Sequence, residues 1–581
     1  MTLSNNLSAR HLKLMHSVHA RVSGFSRPAT GIVSQPEPRS IGSFAKGRQL
    51  CAGNILLAGS LIEAPETSIW SLTPPSVPFQ EAAHGFGWLD DLASVGDLTA
   101  RRRAQEWTFE WIDRYGRGSG AGWLPDLTGR RIIRWIHHTM LLLRGQDAEM
   151  SEKFYRSLAH QTLFLSRRWS KTTPGLPRFE ALTGLIYAGL SLSGMDHLVA
   201  PATSALAKEC RLQIDETGGI LTRNPEELLE VFTLLTWAAS ALRDAGWTPA
   251  KTHVEAIDRI APTLRTLRHS DGGLARFHGG GRGVDGRLDH ALAQSGNRTM
   301  QADGLAMGYA RLSAGRTSVI VDASLPPEGR ASVNAHASTL AFELTSGRRP
   351  VIVNCGSGVS FGEEWRTAGR ATPSHSTLHL DGVSSSKLGR KLTYAGVERE
   401  VLVDGPTDVP VQMTHTVDGF VFEGAHDGYV ATNGLTHARK LELTLDGRAI
   451  VGEDTLIAVN SKAEKLFDRA LDASKLSGFP MFIKFHLHPD VEAEVDLGGK
   501  AISMMLKSGE VWILRFEGAA DLTLEPSVYL ETGRLKPRAT KQAVLYWRAM
   551  EYATRIRWSL SKAHDTDIGV RDMNWIEADD Q

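Results

Sequence analysis

The feature that most constrains this chain is a change in hydrophobic periodicity near residue 270. From about Asp97 to Arg268, apolar residues recur at helical spacing in blocks of roughly 15 to 20 residues, separated by Gly or Pro. After His269-Ser-Asp-Gly-Gly273 come short alternating or β-branched runs, punctuated by Asp-Gly turn pairs. Consecutive helices favour a helical solenoid or toroid, and many short strands at close spacing favour an antiparallel β-sandwich.

This pattern predicts an α+β multidomain chain. With 581 residues, 42% of them hydrophobic, the protein is long enough to bury more than one core. We expect an irregular lead-in over residues 1–96, an α-helical domain over 97–300 and a β-sandwich over 301–550. Residues 551–581 are predicted to be a fraying tail.

Charge and cysteine content exclude several classes of function. The 65 Lys and Arg residues balance the 65 Asp and Glu residues, so no overall field steers the protein to nucleic acid or to an anionic membrane.

Met1 to Gly24 lacks the apolar region of a signal peptide, and no apolar run is long enough to span a bilayer. The sequence by itself therefore predicts a cytoplasmic protein without an integral membrane segment. Cys51, Cys210 and Cys355 lie far apart and are expected to be free thiols.

A cluster of nitrogen and oxygen side chains stands early in the β half. Alternation along a strand puts Asn334, His336 and Ser338 on one face, and Asn354 and His375 follow later in the sequence. Two imidazoles plus an amide or hydroxyl are a candidate set for a divalent metal, zinc first. The alternative is that each histidine is a hydrogen-bonded structural residue.

A second candidate lies in the helical half. Asn224 is placed to cap a helix whose first turn carries Pro225, Glu226 and Glu227. Capping leaves Arg223 unexplained, and two roles stay open for it: a structural one, with the side chain exposed to solvent or in an internal ion pair, or bidentate binding of a ligand's carboxylate or sulfate. For His486-Leu-His488-Pro-Asp490, a structural role is favoured over metal binding.

Several separated motifs, in this order, resemble the heparinase II/III family. They are Asn334-Ala-His-Ala-Ser-Thr-Leu-Ala-Phe-Glu-Leu344, Val351-Ile-Val-Asn-Cys-Gly356, Trp365-Arg-Thr-Ala-Gly-Arg370, His375-Ser-Thr-Leu-His-Leu-Asp-Gly382 and Phe485-His-Leu-His-Pro-Asp490. The resemblance implies an N-terminal incomplete (α/α) toroid followed by a C-terminal antiparallel β-sandwich. It also implies a polysaccharide lyase that cleaves a uronate-containing glycan by β-elimination, and family members are commonly exported to the periplasm.

Carried over residue by residue, the resemblance implies a substituted site. Asn334 stands where the lyases have a catalytic His, and Glu227 stands where a catalytic Tyr is expected. His336 and His375 match zinc-ligating histidines, but the third ligand, an Asp, corresponds to Asn354. The predicted site consists of catalytic His336, Asn334 and Glu227; substrate-binding Arg223, Asn224, Arg366 and Arg370; and His336, Asn354 and His375 as the candidate zinc ligands.

Two functions follow from these residues. The first is a lyase acting on an acidic polysaccharide or oligosaccharide, with Glu227 as base and His336 as acid. The second is a non-catalytic glycan-binding or envelope-polysaccharide assembly protein on the lyase scaffold. Hydrolysis by paired carboxylates has less support, because Glu226 and Glu227 are adjacent on a helix and point in different directions.

Overall fold

The chain is divided between a helical half and a β half. The computed structural model describes residues 2–25, 29–300, 304–394 and 397–563. The last helix of the first half ends at Ser295, and the first strand of the sandwich begins at Tyr309. The predicted order of helices followed by antiparallel sheets is confirmed.

The helical half consists of α1 (Thr2–Ser23), α2 (Phe44–Cys51), α3 (Val77–Gly85), α4 (Trp88–Val95), α5 (Leu98–Tyr115), α6 (Pro125–His137), α7 (Thr139–Leu143), α8 (Ala148–Arg168), α9 (Leu176–Ser191), α10 (Val199–Gln213), α11 (Pro225–Asp244), α12 (Lys251–Thr266) and α13 (Arg287–Ser295), with one hairpin, β1 (Asn54–Leu57) and β2 (Ser60–Glu63). Among these described helices, none combines the length and the apolarity that crossing a membrane requires.

Neighbouring helices pack side by side, α6 against α8 and α9, α9 against α10 and α11, and α11 against α12. Two glycines allow the closest of these crossings. A Cβ on Gly184 would lie 2.6 Å from the Cα of Gly129, and a Cβ on Gly129 would lie 2.4 Å from the Glu180 carbonyl oxygen. The α6 and α9 backbones therefore touch at a point where any larger residue would push the helices apart.

The first 96 residues differ from the irregular lead-in that the composition predicted. They form helices α1 to α4 and the hairpin, and Trp70, Phe79 and Trp88 are buried in the same core as the later helices. The Ser76 hydroxyl accepts from the Phe79 N–H at 3.2 Å and so caps α3, with Pro78 in the first turn, where a helix does not need that N–H. Here Ser76 and Pro78 mark a helix start rather than a lack of structure.

The β half contains β3 (Tyr309–Ala314), β4 (Thr317–Asp322), β5 (Phe342–Ser346), β6 (Arg349–Val353), β7 (Leu378–Leu380), β8 (Lys387–Tyr394), β9 (Val397–Val403), β10 (Val411–His415), β11 (Gly419–Tyr429), β12 (Leu435–Thr444), β13 (Ala449–Ile457), β14 (Phe479–Leu487), β15 (Val491–Asp496), β16 (Ala501–Leu506), β17 (Val511–Glu517), β18 (Asp521–Tyr529), β19 (Arg538–Ala549) and β20 (Ala553–Lys562), together with α14 (Glu363–Arg370), α15 (Val430–Asn433) and α16 (Ser461–Ala473).

Two antiparallel sheets enclose the second core. One has the order β10-β11-β12-β13-β20-β17-β16-β15, and the other has the order β18-β19-β14-β6-β5-β4-β3, with β7 paired to β14. Their inner faces supply the apolar residues of one continuous cluster, in which Phe342 stacks on Trp558 at a ring-centroid distance of 5.9 Å. Alternate residues of each strand reach this core.

The prediction of a fraying tail is wrong for residues 553–562. These residues form β20, which lies between β13 and β17 in the first sheet. Thr554, Ile556, Trp558 and Leu560 are buried at every second position, a period-2 pattern that places one face of the strand in the core. Residues 564–581, the rest of the predicted tail, lie outside the described residues.

A charged network interrupts the apolar core of the sandwich. On β12, His437 and Arg439 point inward, and both contact the Asp454 carboxylate on β13, at 2.8 Å from His437 Nε2 and 2.8 Å from Arg439 Nε. The Trp558 indole donates to the same carboxylate at 2.9 Å. Burial alone would raise the pKa of Asp454, but Arg439 and His437 outweigh that effect and hold the pKa below its usual range.

We expect Asp454→Asn to destabilise the protein by about 3–5 kcal/mol, because it leaves the buried Arg439 guanidinium without its counter-ion. The measurement is denaturant unfolding at neutral pH. Glu453→Gln is the matched control, since the neighbouring Glu453 pairs with Arg557, whose side chain is exposed, and such pairs contribute about 0–1 kcal/mol. Equal effects of the two substitutions would contradict this account of the core.

Candidate functional site

A cavity of about 300 Å³ lies between the two halves. The helical half contributes residues 173–179, residues 220–222, and Glu227 and Val231 on α11; the β half contributes residues 330–334. His278, in the segment that connects the halves, lines it as well. The cavity therefore brings together side chains that are far apart in the sequence, Glu227 and Asn334 among them.

Glu227 is fixed in place by the start of α11. The Asn224 side-chain oxygen accepts from the N–H groups of Glu226 at 3.0 Å and Glu227 at 3.2 Å, and Pro225 fills the first helical position. Asn224 is thus the predicted cap, and its oxygen is engaged in capping rather than turned to a ligand. Gly280 packs so closely against Asn224 that a Cβ there would lie 2.3 Å from the capping oxygen.

Among the residues of this cavity, Glu227 has a carboxyl group whose pKa suits acid–base chemistry. Burial raises the pKa of Glu227 to about 7. A carboxyl with that pKa is divided between its acid and base forms near neutral pH, which is the condition for a group that both accepts and returns a proton.

Arg223, the residue before the cap, joins the two halves. Its guanidinium donates to Asp322 Oδ1 at 2.6 Å and to the carbonyl oxygens of Met307, Gly308 and Leu325 at 3.1, 2.8 and 2.8 Å. The side chain is buried. Of the two roles that the sequence left open, the structure has the internal ion pair, and these contacts replace the predicted substrate-binding role.

The Arg223 backbone is also held by the β half. Arg223 has a left-handed φ of 50°, and its carbonyl oxygen accepts from the Tyr309 hydroxyl at 2.6 Å. The guanidinium lies 4.7 Å from the centroid of the same ring. Asp322 in turn accepts from the Ser338 hydroxyl at 2.7 Å. This network links α11 to the segment that bears Asn334.

Behind the cavity wall, the predicted histidines contact each other. His336 Nδ1 lies 3.0 Å from His375 Nε2, and His375 Nδ1 lies 2.9 Å from the Ala371 carbonyl oxygen. The carbonyl fixes the His375 proton on Nδ1, so His336 donates and His375 accepts. Burial lowers the pKa of His375 to about 4 and that of His336 well below its usual value, so both rings are neutral at pH 7.

His336 does not reach the cavity whose walls include Glu227 and Asn334. Its side chain is only 3% exposed, and its backbone N–H donates to His278 Nδ1 at 3.2 Å. The predicted role of His336 as a catalytic acid therefore has no support in this geometry. The ring instead holds the segment that follows Asn334. Asn334 ends a 3-10 helix and residues 335–341 form no strand, so the predicted strand carrying Asn334, His336 and Ser338 is wrong.

The donor set does not fit the implied zinc ion. The Asn354 side-chain oxygen accepts from the Ser376 N–H at 3.0 Å, and its buried Nδ2, which can only donate, has no hydrogen-bond partner. His336 and His375 would have to supply the site without an anionic ligand, which is a weak donor set for zinc. Within residues 2–25, 29–300, 304–394 and 397–563, no three His, Cys, Asp or Glu side chains group in a way that could hold a metal ion.

Arg366 and Arg370, both predicted to bind substrate, are buried and hold the segment that carries Asn334. Arg366 donates to the Val333 carbonyl at 2.6 Å. Arg370 donates to the carbonyls of Ser332 and Ala335 at 2.7 and 2.8 Å. Both are positioning residues here, because their donors are directed at backbone oxygens of the protein.

Asn334 is exposed on the cavity wall, as the position of a catalytic residue requires. Gly279, with a left-handed φ of 87°, packs against it: a Cβ at Gly279 would lie 3.0 Å from the Asn334 carbonyl oxygen. The glycine-rich run after His278, which the sequence marked only as a change of texture, therefore packs directly against two residues of the predicted site, Asn334 and Asn224.

Sequence reasoning missed two residues of the cavity, His278 and Arg330. For His278, the sequence signal was the glycine-rich run that it begins, because such a run marks unusual backbone conformations. His278 itself adopts a left-handed φ of 48°. Its Nε2 lies 3.4 Å from Asp322 Oδ2, and burial lowers its pKa. Arg330 is exposed and brings a guanidinium to the cavity. No motif pointed to Arg330, because only the folded 3-10 helix of residues 329–334 brings it to the cavity.

In the motif His486-Leu-His488, both histidines make structural contacts, the role that the sequence favoured over metal binding. His486 lies with Nδ1 2.9 Å from the Ser527 hydroxyl and Nε2 3.0 Å from the Pro373 carbonyl. His488 Nδ1 accepts from the Asp490 N–H at 3.2 Å. Cys51, Cys210 and Cys355 are free thiols, as expected.

The sequence is similar to a known family model and to a known protein. A family model described as "Heparinase II/III-like, C-terminal" matches residues 296–559. The FtsZ-localized protein C of Caulobacter vibrioides is 31% identical over 546 residues, which cover 92% of this chain and 90% of that protein.

Two solved structures share the fold. Heparinase III superposes with a TM-score of 0.67 at 12% identity, over 93% of this chain and 88% of that one. A mutant of the heparan sulfate lyase HepC from Pedobacter heparinus gives a TM-score of 0.57 at 14% identity, over 95% and 88%. The toroid and sandwich predicted from the sequence are those of a polysaccharide lyase-like fold, and the chain belongs to the heparinase II/III family.

Proposed function

We propose that the cavity between the two halves binds a uronate-containing acidic glycan and that Glu227 catalyses its cleavage by β-elimination. The observation that carries this proposal is a carboxyl whose pKa is raised to about 7, on the wall of a cavity that also holds Asn334 and Arg330. The relatives of the same fold that are named as heparinase or heparan sulfate lyase support the substrate class.

β-Elimination needs three contributions from the protein: neutralisation of the uronate carboxylate, a base for the C5 proton, and an acid for the leaving oxygen. The Arg330 guanidinium and the Asn334 amide neutralise the uronate carboxylate, which makes the C5 proton acidic. Glu227 in its charged form removes that proton, and the C5–H electron pair forms the C4=C5 double bond as the C4–O4 bond breaks. The leaving oxygen then takes the proton back from Glu227. One residue acts as base and then as acid, so neither the absent Tyr nor the buried His336 is required.

The test incubates the full chain with a panel of uronate-containing glycans and follows the ultraviolet absorbance of the unsaturated product. We expect wild-type turnover to rise with pH through about 7, as Glu227 loses its proton. Glu227→Gln should lower the rate by about 10²–10⁴-fold, the usual contribution of a positioned acid or base. The exposed Glu216→Gln on the same half is the control. Full turnover by Glu227→Gln would overturn the assignment.

The state of Glu227 has an independent test in stability. Because the folded-state pKa of about 7 lies above the ordinary 4.5, folding favours the neutral acid, and that stabilisation is lost as pH rises through 7. We expect Glu227→Gln to match wild type at pH 4 and to exceed its unfolding free energy by about 1–3 kcal/mol at pH 8. Denaturant unfolding at the two pH values measures the difference. A difference independent of pH, or one equal to that of Glu216→Gln, would contradict the raised pKa.

A second candidate is a non-catalytic glycan-binding protein at the site of cell division. The long match to FtsZ-localized protein C supports it, as do Asn334 and Glu227 at positions where the lyases have His and Tyr. This function predicts glycan binding without elimination.

The second candidate also predicts that a fluorescent fusion of the chain coincides with labelled FtsZ in dividing cells. Glu227→Gln should leave that pattern unchanged, because no turnover is involved. A uniform distribution in cells with assembled FtsZ rings would exclude this candidate. Localisation together with Glu227-dependent turnover would show that the chain is a lyase at the division site.

A further inference from the structure

A second cavity, of about 410 Å³, lies on the other side of the connecting segment. Arg276 lines it, whereas His278, two residues later, lines the cavity that holds Glu227. The backbone at Phe277 therefore runs between the two cavities. The walls of the second come from residues 269–276 and 282–285, from β5 and β6, from the residues after β14, and from the end of β18.

Three basic side chains in this cavity retain unused donors. His269 is 6% exposed and its Nε2 has no hydrogen-bond partner among the described residues, with Glu343 Oε2 3.4 Å away. The Nε of Arg349 is buried and likewise lacks a partner within the described chain. Arg282 forms long ion pairs with Asp271 and Asp285, at 3.8 and 3.7 Å, and at these distances neither contact is a hydrogen bond.

The carboxylates of the cavity are better satisfied. Glu343 accepts from the Arg276 backbone N–H at 3.0 Å. Asp490 accepts from Arg538 at 3.0 Å, and the Glu531 carboxylate lies 3.3 Å from Arg534 Nε. Asp271 accepts from the Gly273 N–H at 2.9 Å. Acids and bases both line the cavity, but the buried polar atoms that lack a hydrogen-bond partner within the described chain belong to His269 and Arg349, which favours an oxyanion as the ligand.

One wall is aromatic. The Arg276 guanidinium lies 4.1 Å from the centroid of the Tyr529 ring, and the His488 ring meets that ring edge-on at 5.0 Å. Tyr529 is 5% exposed and Arg276 lies over its ring, so a sugar in the cavity would bond the polar groups through its hydroxyls and contact only the exposed part of the ring. A volume of about 410 Å³ accommodates one or two sugar rings.

We propose that this cavity is a second ligand site, which takes a small acidic sugar through His269, Arg282 and Arg349. The oxyanion is bound by the two guanidiniums and the imidazole, and the sugar ring contacts the exposed part of Tyr529. The site is separate from the cavity that holds Glu227 and its occupancy requires no turnover, so it does not rest on the proposed function.

The test is calorimetric titration of the full chain with glucuronate, inorganic sulfate and glucose, using the Glu227→Gln protein so that the other cavity turns nothing over. We expect saturable binding of glucuronate, weaker binding of sulfate at the same site, and no binding of glucose. The double substitution Arg282→Gln and Arg349→Gln should weaken glucuronate binding by about a hundredfold, since each lost charged contact costs about 1.4 kcal/mol, a factor of ten.

Arg102→Gln, on the exposed face of α5, is the matched control and should bind glucuronate as strongly as its parent. Unchanged melting temperatures would show that both variants are folded. Equal affinity for sulfate and glucuronate would show a site for the anion alone and overturn the sugar part of the proposal. A glucuronate titration whose affinity and stoichiometry are both unchanged by the double substitution would overturn the site, because the first cavity alone would then account for the binding.

Discussion

The Arg223–Asp322 pair is the interaction on which the rest of the site depends. It joins the loop before α11 to the end of β4, and both side chains are buried. Burial alone would raise the pKa of Asp322, but Arg223 and His278 outweigh it and hold the pKa below its usual range. A buried ion pair of this kind contributes little net stability, yet removing one partner is costly. Its main effect is therefore geometric: it fixes where one half meets the other.

That geometry explains why so many polar residues of the family motifs are structural in this chain. Arg366 and Arg370 bond backbone carbonyls around Asn334, and His336 bonds His375 behind it. These residues hold one short segment against the cavity in a fixed conformation. A rigid wall of this kind suits either candidate function, because both catalysis and selective binding require groups that are placed before the ligand arrives.

The two cavities lie on opposite sides of the connecting segment and differ in the titratable groups that line them. On one side of the connecting segment stands a carboxyl that burial has made a weak acid; on the other stand cations with unused donors. The glycine-rich run 278–283 makes this arrangement possible, because Gly279 and Gly280 let the backbone pass closely beside Asn334 and Asn224.

The sequence alone determined the order of helices and strands, the cap at Asn224 and the family, because periodicity and capping depend on residues close together in the chain. It could not reveal strand β20, whose place depends on partners about a hundred residues away, nor that Ser76 and Pro78 start a helix. Nor could it tell that Arg223 is an ion-pair partner while Arg330 faces the cavity. Such roles depend on which side chains long-range packing buries together, and only the tertiary structure decides that.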